Sequence, residues 1–303
     1  MNFYFPIRLI PDNTKIDFMG IRYFNMAISL IMLLVSIFFI STKGLNFGID
    51  FKGGTIIEAK LEAHADITPL YKALSNLHLG EIHLQNFDKS SIMIKLGTNK
   101  NADQMKNISL LKEELNSYFN GKIEYQKIDF VGPQVGEELI KDGALAMLFS
   151  FAGIMLYIAI RFEWQYGLGI IIALIHDTMF TLGFMSITQL EFSLTSIAAI
   201  LTVIGYSVND SVVIYDRIRE NILKYKKMSA SEMINLSINE TLGRTTLTVA
   251  TTLISTAALI FFGGENLFSF SLTVFFGILI GTYSSIYISA PILIHLGIKK
   301  FLR

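Results

Sequence analysis

The chain has 303 residues, 52% of them hydrophobic and 17% charged, with no formal net charge and no cysteine. Soluble chains of this size carry about 25% charged residues, so a wholly soluble globule and a disordered chain are both excluded. Zero net charge offers no bulk attraction to nucleic acid. The missing thiols exclude a disulfide scaffold, Cys-ligated zinc, an iron–sulfur cluster and a thiol nucleophile.

The charge deficit is local. Six windows (23–40, 143–160, 166–187, 192–214, 245–262 and 269–294) hold only two charged side chains, Asp177 and Asp210. Outside them the charge density is that of a soluble protein. Each window is long enough, as a helix, to cross a bilayer core about 30 Å thick. The expected fold is a polytopic α-helical membrane protein with six transmembrane helices and one α+β domain between helices 1 and 2.

In chain order, residues 1–22 form a cytoplasmic tail and 23–40 the first transmembrane helix. The long lead and the absence of a small-x-small pattern after the apolar run argue for an uncleaved anchor. Residues 41–142 form the extracytoplasmic domain. Residues 143–294 hold helices two to six with a cytoplasmic loop at 215–244, and 295–303 form a cytoplasmic tail. Orientation follows from Lys and Arg in the short segments. Arg8, Lys15, Arg22, Arg161, Arg217, Arg219, Lys224, Lys226, Lys227, Arg244, Lys299, Lys300 and Arg303 fall on one side, and the loops at 189–191 and 263–267 carry none. The other basic residues are all Lys, between Lys43 and Lys141, in a segment too long for that rule. Both termini are expected inside.

Within 41–142 the pattern alternates. The β-branched run 55–60 predicts a strand, and Leu70, Ala73, Leu74 and Leu77 a helical stripe over 68–77. Segments 82–87 and 91–96 alternate as a hairpin around Asp88 and Lys89. Ile108, Leu111, Leu115 and Phe119 predict a helix over 104–119, stopped by Gly121, and a last strand lies between Gly121 and Val131. The order β-α-β-β-α-β is that of the ferredoxin-like split motif, a fold that hosts many functions.

Two glycine-bearing stretches bracket this domain, Gly48-Ile-Asp-Phe-Lys-Gly-Gly-Thr55 and Val131-Gly-Pro-Gln-Val-Gly136. Neither has the spacing of a phosphate-binding loop. Gly48, Asp50, Gly53, Gly54, Gly132, Pro133 and Gly136 are read as tight joints between a membrane helix and a sheet.

A charge at bilayer depth costs at least about 2.5–3.5 kcal/mol, so it marks function by default. Asp177 lies midway along the third span beside His176. Asp210 lies in the fourth span with Ser207 and Asn209. Arg244 opens the fifth, hydroxyl-rich span. Low dielectric favours a neutral carboxyl and a nearby guanidinium favours the charged one. Asp210 can therefore take a proton from one side and release it to the other, with Arg244 as alternating partner. Asn209, Asp177 and His176 are candidates for polar support. The competing reading is polar glue between helices. No second His or carboxylate stands at i+4 from His176, so no metal site is expected. Ser229 and Glu232 form a capping box opening an amphipathic helix at 228–242, read as interfacial or as a docking face. Gly277 and Gly281 form a helix-contact GxxxG.

Together these stretches resemble the SecD/SecF family of protein-export membrane proteins, on its SecF side, within the resistance-nodulation-division superfamily. The resemblance rests on the two glycine stretches, on Ala173-Leu-Ile-His-Asp177, on the run from Val203 through Asn209, Asp210 and Asp216 to Asn221, and on Asn239-Glu-Thr-Leu-Gly-Arg-Thr245. It covers nearly the whole chain. It implies a multi-pass protein of the bacterial cytoplasmic (inner) membrane, half of a twelve-span assembly completed by SecD. That assembly works with SecYEG and YajC, uses the proton-motive force, and draws a translocating polypeptide outward late in export. It also implies that Asp210 and Arg244 handle protons, that there is no cofactor, and that the chain is no enzyme. A half-transporter of lipids or small molecules shares these features. An intramembrane aspartyl protease using Asp177 and Asp210 lacks its Gly-x-Gly-Asp context here, and a scaffold predicts a silent Asp210→Asn.

Overall fold

The computed structural model describes residues 10–11, 14–61, 67–77, 82–88, 90–97 and 104–297. Lys89 at the predicted hairpin turn, and Arg8, Lys299, Lys300 and Arg303 of the tails, lie outside them. Six helical segments are long and apolar enough to cross a membrane. The first is α1, Arg22–Thr42, which ends where Gly44 takes a left-handed φ of 71°. A short strand β1 (Asn46–Phe47) and a single helical turn α2 (Ile49–Lys52) follow it.

The next elements build a four-stranded antiparallel sheet carrying two helices. They are β2 (Gly54–Leu61), α3 (Ile67–Ser75), β3 (Ile82–Asp88), β4 (Ser91–Gly97), α4 (Gln104–Tyr118) and β5 (Ile123–Val131). The strand order is β3-β4-β2-β5. Alternation on β2 and β4 sends Ile57, Ala59, Ile92 and Ile94 inward against Leu70 and Leu74 of α3 and Leu111 and Leu115 of α4. Gly121 ends the turn after α4 with a φ of 76°, its amide closing on the Asn116 carbonyl at 2.8 Å.

The remaining spans are α5 (Pro133–Arg161), α6 (Trp164–Thr188), α7 (Leu194–Lys224) and α8 (Ala230–Phe262), with a short strand β6 (Glu191–Phe192) between α6 and α7. The last span is composite: α9 (Gly264–Ser284), a π turn over Ser285–Ser289, and α10 (Ala290–His295). Pro291 follows the π turn, and Tyr215 of α7 donates its hydroxyl to the Ser289 carbonyl at 3.0 Å. That bond satisfies backbone polarity which lipid could not.

Three helices run well past their apolar windows, among them α7, which continues beyond Ile214 to Lys224. Pro133 starts α5 ten residues ahead of the window, since proline at the first helical position needs no amide partner. The amphipathic stretch predicted as a separate helix at 228–242 is the first half of α8. Ser229 and Glu232 do cap it, at 3.3 and 2.8 Å. It then continues through Gly243 without a break.

In the bundle α6, α7 and α9 pack mutually, α1 lies on α6, and α8 lies on α7 and α9. About half of the apolar stretch of α6 and of α7 is buried, against 11% for α1, α5 and α8. The outer three helices therefore face lipid or another chain. Close approach of α9 to α7 depends on the paired glycines. A Cβ on Gly277 would stand 2.2 Å from Val203, and one on Gly281 would stand 3.0 Å from Ser207.

The sheet domain is tied to the bundle at the α6–α7 turn. β1 pairs in parallel with β6, and the Gly48 amide donates to the Phe192 carbonyl at 2.8 Å. Phe47, Phe51 and Phe192 form an aromatic cluster with centroids 5.6–5.9 Å apart. Lys95 of β4 pairs with Glu191 at 2.5 Å.

Candidate functional site

Both intramembrane carboxyls are buried, Asp177 fully and Asp210 to 3% exposure. Their surroundings differ. Asp177 is held by three helices. Its Oδ1 lies 3.0 Å from His176 Nδ1, and its Oδ2 accepts from Ser207 of α7 at 2.6 Å and Ser284 of α9 at 2.8 Å. The His176 ring stacks on Phe180 at 4.2 Å, and its Nε2 is buried without a partner. An imidazole with its proton on Nδ1 fits this arrangement, because Nε2 is then a bare acceptor and no donor is stranded.

Below Asp177 the α7–α9 seam continues as a ladder of buried hydroxyls one turn apart. Ser211 meets Ser285 at 3.0 Å, and Tyr215 meets Ser289 at 2.5 Å. Ser207, Ser211 and Tyr215 share one face because they recur every four residues.

Asp210 sits on the adjoining face of α7, toward α8. Thr245 and Thr282 face its carboxyl, and Arg244 is its near cation. Yet Asp210 Oδ2, the Thr245 hydroxyl and the Tyr206 hydroxyl are all buried without a hydrogen-bond partner. Nearly all buried polar groups in native proteins are paired; here Thr245 and Thr282 stand beside the carboxyl, and Thr248 and Thr252 beside the Tyr206 hydroxyl, without closing those bonds. Arg244 is exposed. Asn209 is exposed as well, which separates it from Asp210. Neighbours in sequence lie about 100° apart around a helix.

The glycine stretches act at the joint. Gly53 has φ 76°, Gly54 is pressed against the Leu96 carbonyl, and Gly136 of α5 is pressed against the Phe51 carbonyl. Gly48 abuts the Glu191 side chain. Gly132 precedes α5, with Pro133 at its first position. Asp50 Oδ2 accepts from the Leu194 amide at 3.0 Å, at the start of the helix that carries Asp210. Among the described residues no three His, Asp or Glu side chains converge as a metal site.

Sequence reasoning missed Ser284, Ser285, Thr282 and Glu191. The hydroxyl run Thr282-Tyr-Ser-Ser285 was a signal in the sixth span, but nothing in the sequence says which helix it meets.

Two family descriptions match this chain: "Protein export membrane protein SecD/SecF, C-terminal" over residues 111–299, and "SecD/SecF GG Motif" over 38–63. The chain is 55% identical to the protein translocase subunit SecF of Rickettsia rickettsii (strain Sheila Smith) over 298 residues, covering 98% of this chain and 97% of that one. It is 54% identical to the SecF of Rickettsia prowazekii (strain Madrid E), covering 98% and 96%. Its fold is similar to the crystal structure of SecDF, a translocon-associated membrane protein from Thermus thermophilus. There the TM-score is 0.80 at 34% identity, over 95% of this chain and 40% of that one. SecDF in its super-membrane-facing form gives a TM-score of 0.74, again over 40% of that chain. This multi-pass chain belongs to the SecD/SecF family of protein-export membrane proteins.

Proposed function

We propose that the chain is the SecF-side subunit of a protein translocase auxiliary complex. It joins a SecD half and uses the proton-motive force to draw polypeptides outward through SecYEG, with YajC in the same assembly. Near-full-length identity to SecF relatives supports the translocase role. The two-fifths coverage of SecDF supports a missing half supplied by SecD. In this reading the termini and the 215–244 region are cytoplasmic. The β2–β5 domain is exported and ferredoxin-like, a reading supported by its strand order.

One observation carries the proton step: a buried Asp210 with an unpartnered oxygen beside Thr245 and Arg244. Protonated, the carboxyl is tolerated in the seam. Deprotonated, it draws the Arg244 guanidinium toward it. Exchange between these states moves α8 against α7. Asp50 and the Phe47–Phe51–Phe192 cluster pass the motion of α7 to the exported domain. Each proton crossing 100 mV supplies about 2.3 kcal/mol, enough to bias a two-state element about fiftyfold. Asp177, with its oxygens satisfied, serves as support.

The test is late-stage translocation in membrane vesicles containing this chain and SecD, with and without a proton gradient. Asp210→Asn should remove the gradient-dependent portion alone. A mutant that assembles and keeps that portion would show that Asp210 is helix glue.

A further inference from the structure

The motif stretches around Asp210 and Arg244 hold polar side chains that the proton step does not use. Glu240 of α8 is gripped by two residues of α7. Its Oε2 accepts from Arg217 Nε at 2.8 Å and from Asn221 Nδ2 at 2.6 Å. Asn221 is 2% exposed and also donates to the buried Ser237 at 3.0 Å, so both of its donor hydrogens are used within the α7–α8 seam. Arg217 adds a bond to Glu220 at 2.7 Å. The same end of α8 is held from its other side. Asn239 binds the backbone of Ile16 through both amide atoms at 2.9 Å, and Asn235 Oδ1 accepts from the Met19 amide at 2.9 Å.

Helical spacing relates this cluster to the candidate proton site. Arg217 stands two turns from Asp210, about 10 Å along α7, and Glu240 stands one turn from Arg244, about 6 Å along α8. The cluster, Asp210 and Arg244 thus lie on one seam. At the cluster the buried polar groups are satisfied. At Asp210, Thr245 and Tyr206 they are not.

We infer that Arg217, Asn221 and Glu240 are positioning residues that pin α7 to α8 and set the register in which Arg244 meets Asp210. One end of the seam is fixed and the other is free to change partners, which makes the cluster the pivot for the motion of Arg244. Arg217 and Glu240 also line an open cleft with Asn239 and Gly243. Water there weakens an ion pair, so the buried amide of Asn221 carries much of the hold. This inference rests on the proton reading of Asp210, and the experiment separates the two.

The experiment uses the full chain with SecD in vesicles and has two readouts. One is gradient-dependent translocation. The other is cross-linking of Tyr206→Cys with Thr248→Cys, since Thr248 faces the Tyr206 hydroxyl across the seam. The chain has no native cysteine to interfere. Arg217→Glu and Glu240→Arg singly should each lower both readouts about fivefold, and the double swap should recover only the part of the loss that the ion pair carries, since an arginine at 240 offers the Asn221 amide no acceptor. If Arg217→Glu does not assemble, Glu240→Gln is read instead. It keeps an acceptor for Asn221 and should lower both readouts about twofold. Single reversals at wild-type level, or a double swap no better than the singles, would overturn the inference. A silent Asp210→Asn beside a cross-link that falls and recovers would sink the proton reading and leave the pinning in place.

Discussion

Asp177 and Asp210 are both carboxyls buried in the same bundle, 33 residues apart, and the contrast between them lies in their surroundings. Asp177 has a partner on each oxygen and touches α6, α7 and α9 at once. Removing its oxygens would strand two serines and a histidine in a dry interior, so its surroundings resist change. Asp210 has an oxygen without a partner, a hydroxyl opposite it without a partner, and a cation on an exposed neighbouring position. Its surroundings leave room for two states. A satisfied buried polar network rigidifies, and an unsatisfied one is where a structure can change.

Five substitutions would break or sharpen that contrast. In the first pair, Asp210→Asn should abolish gradient-dependent translocation while the complex accumulates normally. Asp177→Ala should do the reverse and damage the complex itself. Two interhelical hydrogen bonds, to Ser207 and Ser284, at about 0.6–1.7 kcal/mol each amount to about 1–3 kcal/mol. Asp177→Asn keeps an acceptor for the serines and should cost about 1 kcal/mol. Thermal melting of the detergent-extracted SecD complex would measure both. If Asp177→Asn melts like wild type but loses gradient-driven export, Asp177 is a working carboxyl and the contrast fails.

Gly277→Leu comes next. It leaves every acid in place but drives a side chain into Val203 at the α7–α9 seam. Overpacking costs about 1–3 kcal/mol, and the wedge pulls Ser207 and Ser284 apart around Asp177. The expected result is a milder copy of Asp177→Ala in melting temperature, with Tyr206–Thr248 cross-linking on the α7–α8 side retained. Loss of that cross-link would show that the two seams are not separable.

The last of the five concerns the joint. Asp50→Ala removes the carboxylate from the Leu194 amide at the start of α7. Losing such a contact costs about 1 kcal/mol. Stability should fall slightly, while gradient-dependent translocation falls more than stability accounts for. An equal, small drop in both would mean that the joint only holds and does not transmit.

The spans were legible because charge is so unevenly distributed, and the sheet elements because their apolar periods show through: 2 on β4 at Ile92, Ile94 and Leu96, although Met93 is buried as well, and 3 to 4 on α4. Asp177 and Asp210 stood out for the same reason, as charges in apolar runs. Their difference in surroundings did not, because Ser284 and Thr245 are ordinary span hydroxyls until tertiary packing brings them to a carboxyl. Asn209 is next to Asp210 in sequence but exposed on a different face of the helix, which adjacency alone does not show. The break predicted between an interfacial helix and the fifth span is missing, because a change in hydropathy does not interrupt backbone hydrogen bonding unless proline or a turn does. The π turn at Ser285–Ser289 was invisible, since its hydroxyl partners come from α7.

The smallest effect tests the far end of the fixed seam. Asp17 accepts from the Asn235 side chain at 2.6 Å and the Gly20 amide at 2.9 Å, and these bonds hold its carboxyl below the usual carboxylate range. A carboxyl depressed on folding stabilises the attached state above its ordinary pKa, and that contribution is lost as pH falls through the lower, folded value. The segment around Met19 should therefore stay protected at neutral pH and loosen below about pH 4. Protection factors for the Met19 and Gly20 amides, corrected for intrinsic exchange, would show it. Asp17→Asn should flatten the pH dependence and leave the Ile16–Asn239 bonds in place. Because Asp17 is open to solvent, its contribution is small. A large acid effect that persists in Asp17→Asn would point to Glu240, and so to the pinning cluster itself, as the group that lets α8 go.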